Sequence, residues 1–422
     1  MKTMRISLLS LMTIVIFGCS NDNSAPTPPI DPVNMAPGAF NLLLAADGTE
    51  GVDLLPTLTW ETATDPEGDA VSYDVFLDTT ADPSTLLSGG LTATTATVAT
   101  SLEIGTDYNW KVVAKDAEGA TTSSGVFGFT TRGLTAPAAP VTAAADFSAR
   151  RGHSSAVFDG KLWVIAGEDA VVFQDDVWSS TDGVSWSLVT DTPGFVGRFS
   201  HGSAVFLDQL WVIAGEDATG YRQDVWSSAN GADWTEQTAT AGFGARDGFT
   251  TAVLGDKLFV MGGYDGVEYK NDVWSTTDGI VWEEATASAQ FPVRSGHATT
   301  VFDNKIWVTG GWNGNINYRD VWYSEDGITW TEATSDAPYS AAPVNMTMTA
   351  FEDRLWVIGG FSTTAVNNIW YSDDGIDWKQ SFPVANFAAR GEHSTVVFNE
   401  QVWVIAGFDD VFMNDVWAMD GK

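Results

Sequence analysis

Arg294-Ser295-Gly296-His297, Ile306-Trp307-Val308-Thr309-Gly310-Gly311, Asp320-Val321-Trp322 and Ser324-Glu325-Asp326-Gly327-Ile328-Thr329-Trp330 follow one another in a short stretch of the chain. The same order of signals recurs through six units. Arg150, Arg198, Arg246 and Arg294 lie 48 residues apart, Pro343 replaces the arginine in the fifth unit, and Arg390 lies 96 beyond Arg294. A period near 50 with several short apolar runs per unit predicts an all-β radial array rather than one ordinary core. In the first unit the predicted strands are His153 to Phe158, Leu162 to Ala166, Asp176 to Ser179 and Trp186 to Thr190. Runs such as Leu162-Trp163-Val164-Ile165 are apolar on both faces, as a strand between stacked sheets must be. The doublet that ends the second strand is Gly262-Gly263, Gly310-Gly311 and Gly359-Gly360, or Ala-Gly in units one, two and six, and permits close backbone approach.

The sixth unit stops at Val416-Trp417-Ala418-Met419-Asp420-Gly421-Lys422, before its fourth-strand Trp. Phe147 stands three residues before Arg150, as Phe195, Phe243, Phe291 and Phe387 stand before the same position in their units. That phase aligns Pro140-Val141-Thr142 with Leu188-Val189-Thr190. It predicts an N-terminal strand that completes the last sheet and closes a ring of six.

With Arg-x-x-His, the Gly doublet, the Asp-Val-Trp third strand and the Trp opening the fourth, the region from Asp146 to Lys422 resembles the kelch repeats, the propeller family that includes the central domain of galactose oxidase. The resemblance implies a six-bladed kelch-type β-propeller, expected over residues 138–422. The repeated Ser-x-Asp-Gly-x-x-Trp is similar to the Asp-box hairpin of sialidase propellers, one residue shorter, and implies a folding turn rather than glycosidase activity. Copper oxidase chemistry of the galactose-oxidase kind needs a Cys–Tyr crosslink, and Cys19 is the only cysteine.

Ahead of the repeats, 38–132 carries a different β pattern with Trp60, Tyr108-Asn109-Trp110 and Ala114-Lys115-Asp116 as landmarks. It resembles a fibronectin type III-like sandwich, and Gly133 to Pro140 reads as a hinge. Asp65, Glu67 and Asp69 form an acidic turn, read as a solvated turn with Ca²⁺ as the alternative. At the start, Lys2 and Arg5 precede an apolar stretch from Ile6 to Phe17, and Ile16-Phe17-Gly18-Cys19 resembles the lipobox of bacterial lipoproteins. The expectation is a signal peptide over 1–19, lipidation at Cys19, a Pro-rich tether over 20–37, and a monomer held at the bacterial cell envelope, at the outer membrane. The sequence has 20 Lys+Arg and 55 Asp+Glu. That balance opposes nucleic acid and anionic lipid headgroups, so membrane contact is expected through the lipid alone.

For a site, Arg150, Arg198, Arg246, Arg294 and Arg390 have two readings: forked anchors for an anionic or polar ligand, or clamps paired with nearby carboxylates. His153, His201, His297 and His393 are expected to pack rather than bind metal. The position after the doublet breaks the symmetry: Glu168 and Glu216 in units one and two, then Tyr264, Trp312, Phe361 and Phe408. An acidic half facing an aromatic half predicts a glycan- or protein-binding surface, with Glu168 and Glu216 as the candidate pair for catalysis. The loops after the doublet are uniformly short, so binding without a cofactor is favoured over a carbohydrate-active enzyme, such as an epimerase or exo-glycosidase, or a purely structural surface protein.

Overall fold

The computed structural model describes residues 33–135, 137–339, 343–382 and 385–421. Cys19, the signal segment and most of the tether lie outside the described residues. Among the described residues there are eight sheets, six of them four-stranded. Sheet one consists of Ser154–Phe158, Lys161–Glu168, Phe173–Ser180 and Ser187–Thr190, antiparallel in chain order. Sheets two to five repeat this plan. Sheet six has strands Ser394–Phe398, Gln401–Phe408 and Phe412–Gly421, and its fourth strand is Leu134–Thr135 from the other end of the chain.

That closing strand pairs Leu134 with Gly421 and Thr135 with Asp420. The strand expected around Val141 is reduced to one bridge, Thr142 with Val416. Pro137 and Pro140 have no N–H to offer a ladder between the two points, which explains the interruption. The segment expected as a hinge is therefore part of the last sheet. The innermost strands of the six sheets touch in sequence, and Ser394–Phe398 touches Ser154–Phe158, so the sheets form a closed ring.

Second strands are the core of each sheet. Leu162, Val164 and Ile165 are fully buried, as are Leu210, Val212 and Ile213 in sheet two. Burying each such side chain contributes roughly 1.5–3 kcal/mol. Neighbouring sheets lock through the Ser-x-Asp-Gly turn. Gly183 has φ +71°, and a Cβ there would meet the Trp403 ring of the preceding sheet at 2.0 Å. Gly231 on Trp163, Gly279 on Trp211, Gly327 on Phe259 and Gly375 on Trp307 repeat the contact. Only glycine has both the conformation and the missing volume.

The fourth strand of sheet six comes from elsewhere in the chain, and among the described residues no glycine meets Trp356 of sheet five in this way. Instead it belongs to an apolar cluster with Leu54, Ile104 and Leu134. The first two come from the N-terminal region, whose sheets pack around Leu58, Trp60, Tyr73, Val75, Trp110 and Val112. One sheet orders Leu42–Leu44, Thr57–Trp60 and Thr95–Thr97. The other orders Thr49–Val52, Phe127–Thr131, Asp107–Lys115, Ser72–Asp78 and Leu86–Leu91, with Thr121–Ser123 beside Asp107–Lys115. Polar contacts reinforce the junction: Lys379 Nζ lies 2.7 Å from Glu103, and Tyr371 Oη donates to Glu103 at 3.1 Å.

Candidate functional site

The five repeated arginines are 0–2% exposed. Arg198 shows the arrangement. Its Nη1 and Nη2 donate to Asp224 at 2.8 and 2.9 Å, Nη1 donates again to Ala214 O at 2.9 Å, and its guanidinium lies 5.4 Å from the Phe195 ring. Asp176, Asp272, Asp320 and Asp415 receive Arg150, Arg246, Arg294 and Arg390 in the same bidentate way. Each Asp also accepts the indole N–H of the Trp two residues on, as Trp226 donates to Asp224 at 2.8 Å. Burial works to raise the carboxyls of Asp224 and Asp415, but the paired guanidinium outweighs it and holds both below the ordinary range. Arg198 N donates to Gln174 O and Arg198 O accepts from Gly167 N, both in sheet one, while its side chain grips sheet two. Every such arginine thus links two sheets. Both Nη groups of each are engaged and buried, so the anchor reading of Arg150, Arg198, Arg246, Arg294 and Arg390 gives way to the clamp.

The histidines line the ring's axis. His201, His297 and His393 bond through Nε2 to Ser154, Thr250 and Thr347 on the preceding sheet, and His153 to Ser394, all at 2.8–3.1 Å. Burial, and then the neighbouring arginine, push His201, His297 and His393 down to about 3, so they are neutral. Among the described residues no group of three or more His, Cys, Asp or Glu side chains is placed to hold a metal ion. In the N-terminal region Asp65 Oδ1 accepts the backbone N–H groups of Glu67 and Asp69 at 2.9 and 3.2 Å, which makes that acidic stretch a hydrogen-bonded turn.

One mouth of the axis is built from two backbone layers. Gly152, Ser200, Gly248, Gly296, Asn345 and Glu392 all have φ between 49° and 63°, and each N–H donates to the carbonyl of the preceding one around a closed circle. Gly152 N to Glu392 O, at 3.0 Å, completes it. Outside this circle Arg151, Phe199, Asp247, Ser295, Val344 and Gly391 exchange both backbone bonds with Glu168, Glu216, Tyr264, Trp312, Phe361 and Phe408 respectively. The position after the doublet therefore sits beside the mouth in every sheet, next to the residue that follows the buried arginine or, in sheet five, Pro343.

The side chains on this face are not symmetric. Arg151 pairs with Glu168 at 2.7 Å, lies 3.3 Å from Glu392, and packs within 6 Å of the Phe199, Phe408 and Phe412 rings. Tyr221, Tyr264, Tyr269 and Trp312 form a chain of ring contacts across sheets two to four, with centroids 4.7–5.9 Å apart. Trp312 is 39% exposed. Burial, and then Glu216 and Glu392, push Asp247 up to about 7. Glu216 is raised by burial and by Glu168, and Tyr221 is pushed up to about 12 by burial, Glu216 and Asp247. Sheets six, one and two add exposed Val171, Val172, Val196 and Val411 beside two grooves of about 350 and 490 Å³.

Arg151, Asp247, Glu392, Tyr221 and Tyr269 escape a reading of the sequence that follows the repeat. Their signal is the opposite of a motif. The position after the arginine reads Arg, Phe, Asp, Ser, Val, Gly in the six units, as varied as the position after the doublet.

Residues 152–360 match the model of the KLHDC2/KLHL20/DRC7 Kelch-repeats domain. No curated protein matches the chain. Repeats of the matched kind, in successive four-stranded antiparallel sheets, fit a kelch-repeat β-propeller.

Proposed function

We propose that the chain is a six-bladed kelch propeller that binds a protein ligand on the mouth face, carried on a fibronectin type III-like module and held at a bacterial envelope by lipid on Cys19. One observation carries the binding assignment. Around the mouth the backbone is repetitive and its hydrogen bonds are closed within the ring, whereas the side chains differ from blade to blade and include exposed Trp312, Val171 and Val411. Exposed apolar and aromatic groups gathered on one face mark an interaction surface. The uniformly short loops leave open grooves rather than a lidded pocket, which favours recognition over turnover.

The test is site-specific crosslinking in cells that express the chain. A photoreactive residue at Trp312 or Val171 should capture a protein. The same residue at Lys257, which starts the second strand of blade three at the opposite end from Tyr264, should capture none. Capture at Lys257 alone, or of glycan alone at the mouth, would overturn the assignment.

A further inference from the structure

We propose that the protein segment received at the mouth is basic: a lysine or arginine side chain enters between Glu216 and Asp247, and apolar neighbours settle on the valine-lined grooves of blades six, one and two. This rests on the protein-binding reading and names the class of partner.

The propeller contains its own template for the contact. On the side of blade one, Arg151 stands between Glu168 and Glu392 with three phenylalanine rings around it. A guanidinium held by two carboxylates and aromatic faces is a favourable setting for a cation. Arg151 occupies the position after the repeated arginine, and in blades two and three that position holds Phe199 and Asp247. The next two blades thus repeat the carboxylates, Glu216 and Asp247, and the aromatic groups, Tyr221, Tyr264 and Tyr269, without supplying a cation. Among the described residues neither Glu216 nor Asp247 has an ion-pair partner. The nearby cations are engaged elsewhere: Arg222 with Asp217, and Lys270 with Asp265 at 2.7 Å.

Electrostatics gives the same direction. Burial, Glu168 and Asp217 raise Glu216, and burial, Glu216 and Glu392 raise Asp247, so a second positive charge relieves repulsion already present in the free chain. An acidic ligand would add to it. The whole sequence carries a formal charge of −35, which steers basic partners toward the surface and slows acidic ones. Val171, 85% exposed, and Val411, 66% exposed, flank this half of the mouth and lack cover of their own. They supply the apolar contact that a lone charge pair in water would not.

The probes are three labelled nine-residue peptide libraries with Lys, Gln or Glu fixed at the centre and Val, Leu, Gly and Ser elsewhere, titrated onto the full chain by fluorescence anisotropy. The Lys library should bind at least ~10-fold more tightly than the other two. Glu216→Gln with Asp247→Asn should weaken Lys binding by at least ~10-fold while the melting temperature holds or rises, because the change removes repulsion. Val171→Ser with Val411→Ser should weaken binding without altering the order of the libraries. Equal binding of all three libraries, lost on the valine changes, would overturn the basic-segment inference and leave protein binding standing. No binding by the Lys library, or tighter binding by the Glu library, overturns the inference outright. Binding of a glycan array in place of every peptide would remove both readings.

Discussion

Sheet five and the other five four-stranded sheets, the blades of the proposed propeller, solve the same junction differently. In blades one, two, three, four and six an arginine reaches into its own blade and meets the Asp of Asp-Val-Trp. In blade five the arginine position is Pro343 and the Asp position is Asn368. Both members of the ion pair are gone together. The axis repeats the lesson. Where Phe249 replaces the repeated histidine, the facing residue is Gly202, where a Cβ would meet the Phe249 ring at 2.7 Å. Where Met346 replaces it, the facing residue is Ala298 instead of Ser or Thr. Losing one buried partner strands the other, whereas losing both together is nearly neutral.

The largest test breaks one pair on purpose. Asp224→Asn leaves Arg198 buried without its counter-charge and with one acceptor fewer, and should cost about 3–5 kcal/mol. Adding Arg198→Met should recover at least half of that, as blade five implies. Calorimetric melting of the full chain measures both, and a single substitution costing less than about 1 kcal/mol would show that the pairs do not hold the blades.

Next in size is the acid response. His201, His297 and His393 sit at about 3 in the folded chain against 6.5 for the free side chain, so unfolding takes up protons as the pH falls below 6.5. Stability is therefore full above that value and declines toward pH 3. Importing the blade-three solution, His297→Phe with Thr250→Gly, should flatten the decline. An unchanged slope between pH 6 and 4 in melts of the double variant would refute the histidine contribution.

The smallest effect is local. At the junction of blades four and five the bond from Gly311 N to Pro343 O, at 3.2 Å, remains without a guanidinium beyond it. Hydrogen exchange at Gly311 should be faster than at its counterparts Gly167, Gly215 and Gly263. Equal protection of all four would mean that the strand ladders alone set the strength of each junction.

How much of this was readable in the sequence follows from what repetition encodes. The 48-residue period revealed the strands, the doublet and the return of the chain to the last sheet, because every blade needs the same packing residues. For the same reason it drew attention to Arg150 and its equivalents, which repeat because each fills the same buried junction. Arg151, one residue on, points to the mouth, and no periodicity marks it. Glu168, Glu216, Tyr264 and Trp312 were visible as exceptions to the period, but their neighbours Asp247 and Glu392 come from a different stretch of each unit. Only the ring brings those stretches side by side. The packing of Leu54 and Ile104 against blade five was equally hidden, since nothing local says that they come to cover Trp356.

The closed circle of hydrogen bonds at the mouth separates what supports from what recognises. Its six amides and six carbonyls, and the paired bonds around them, satisfy one another and offer an arriving molecule no backbone group. Whatever is read there is written in side chains, from Arg151 and Glu168 round to Phe408 and the valines beside them. Selection can rewrite that text one residue at a time without reopening the page on which it is printed.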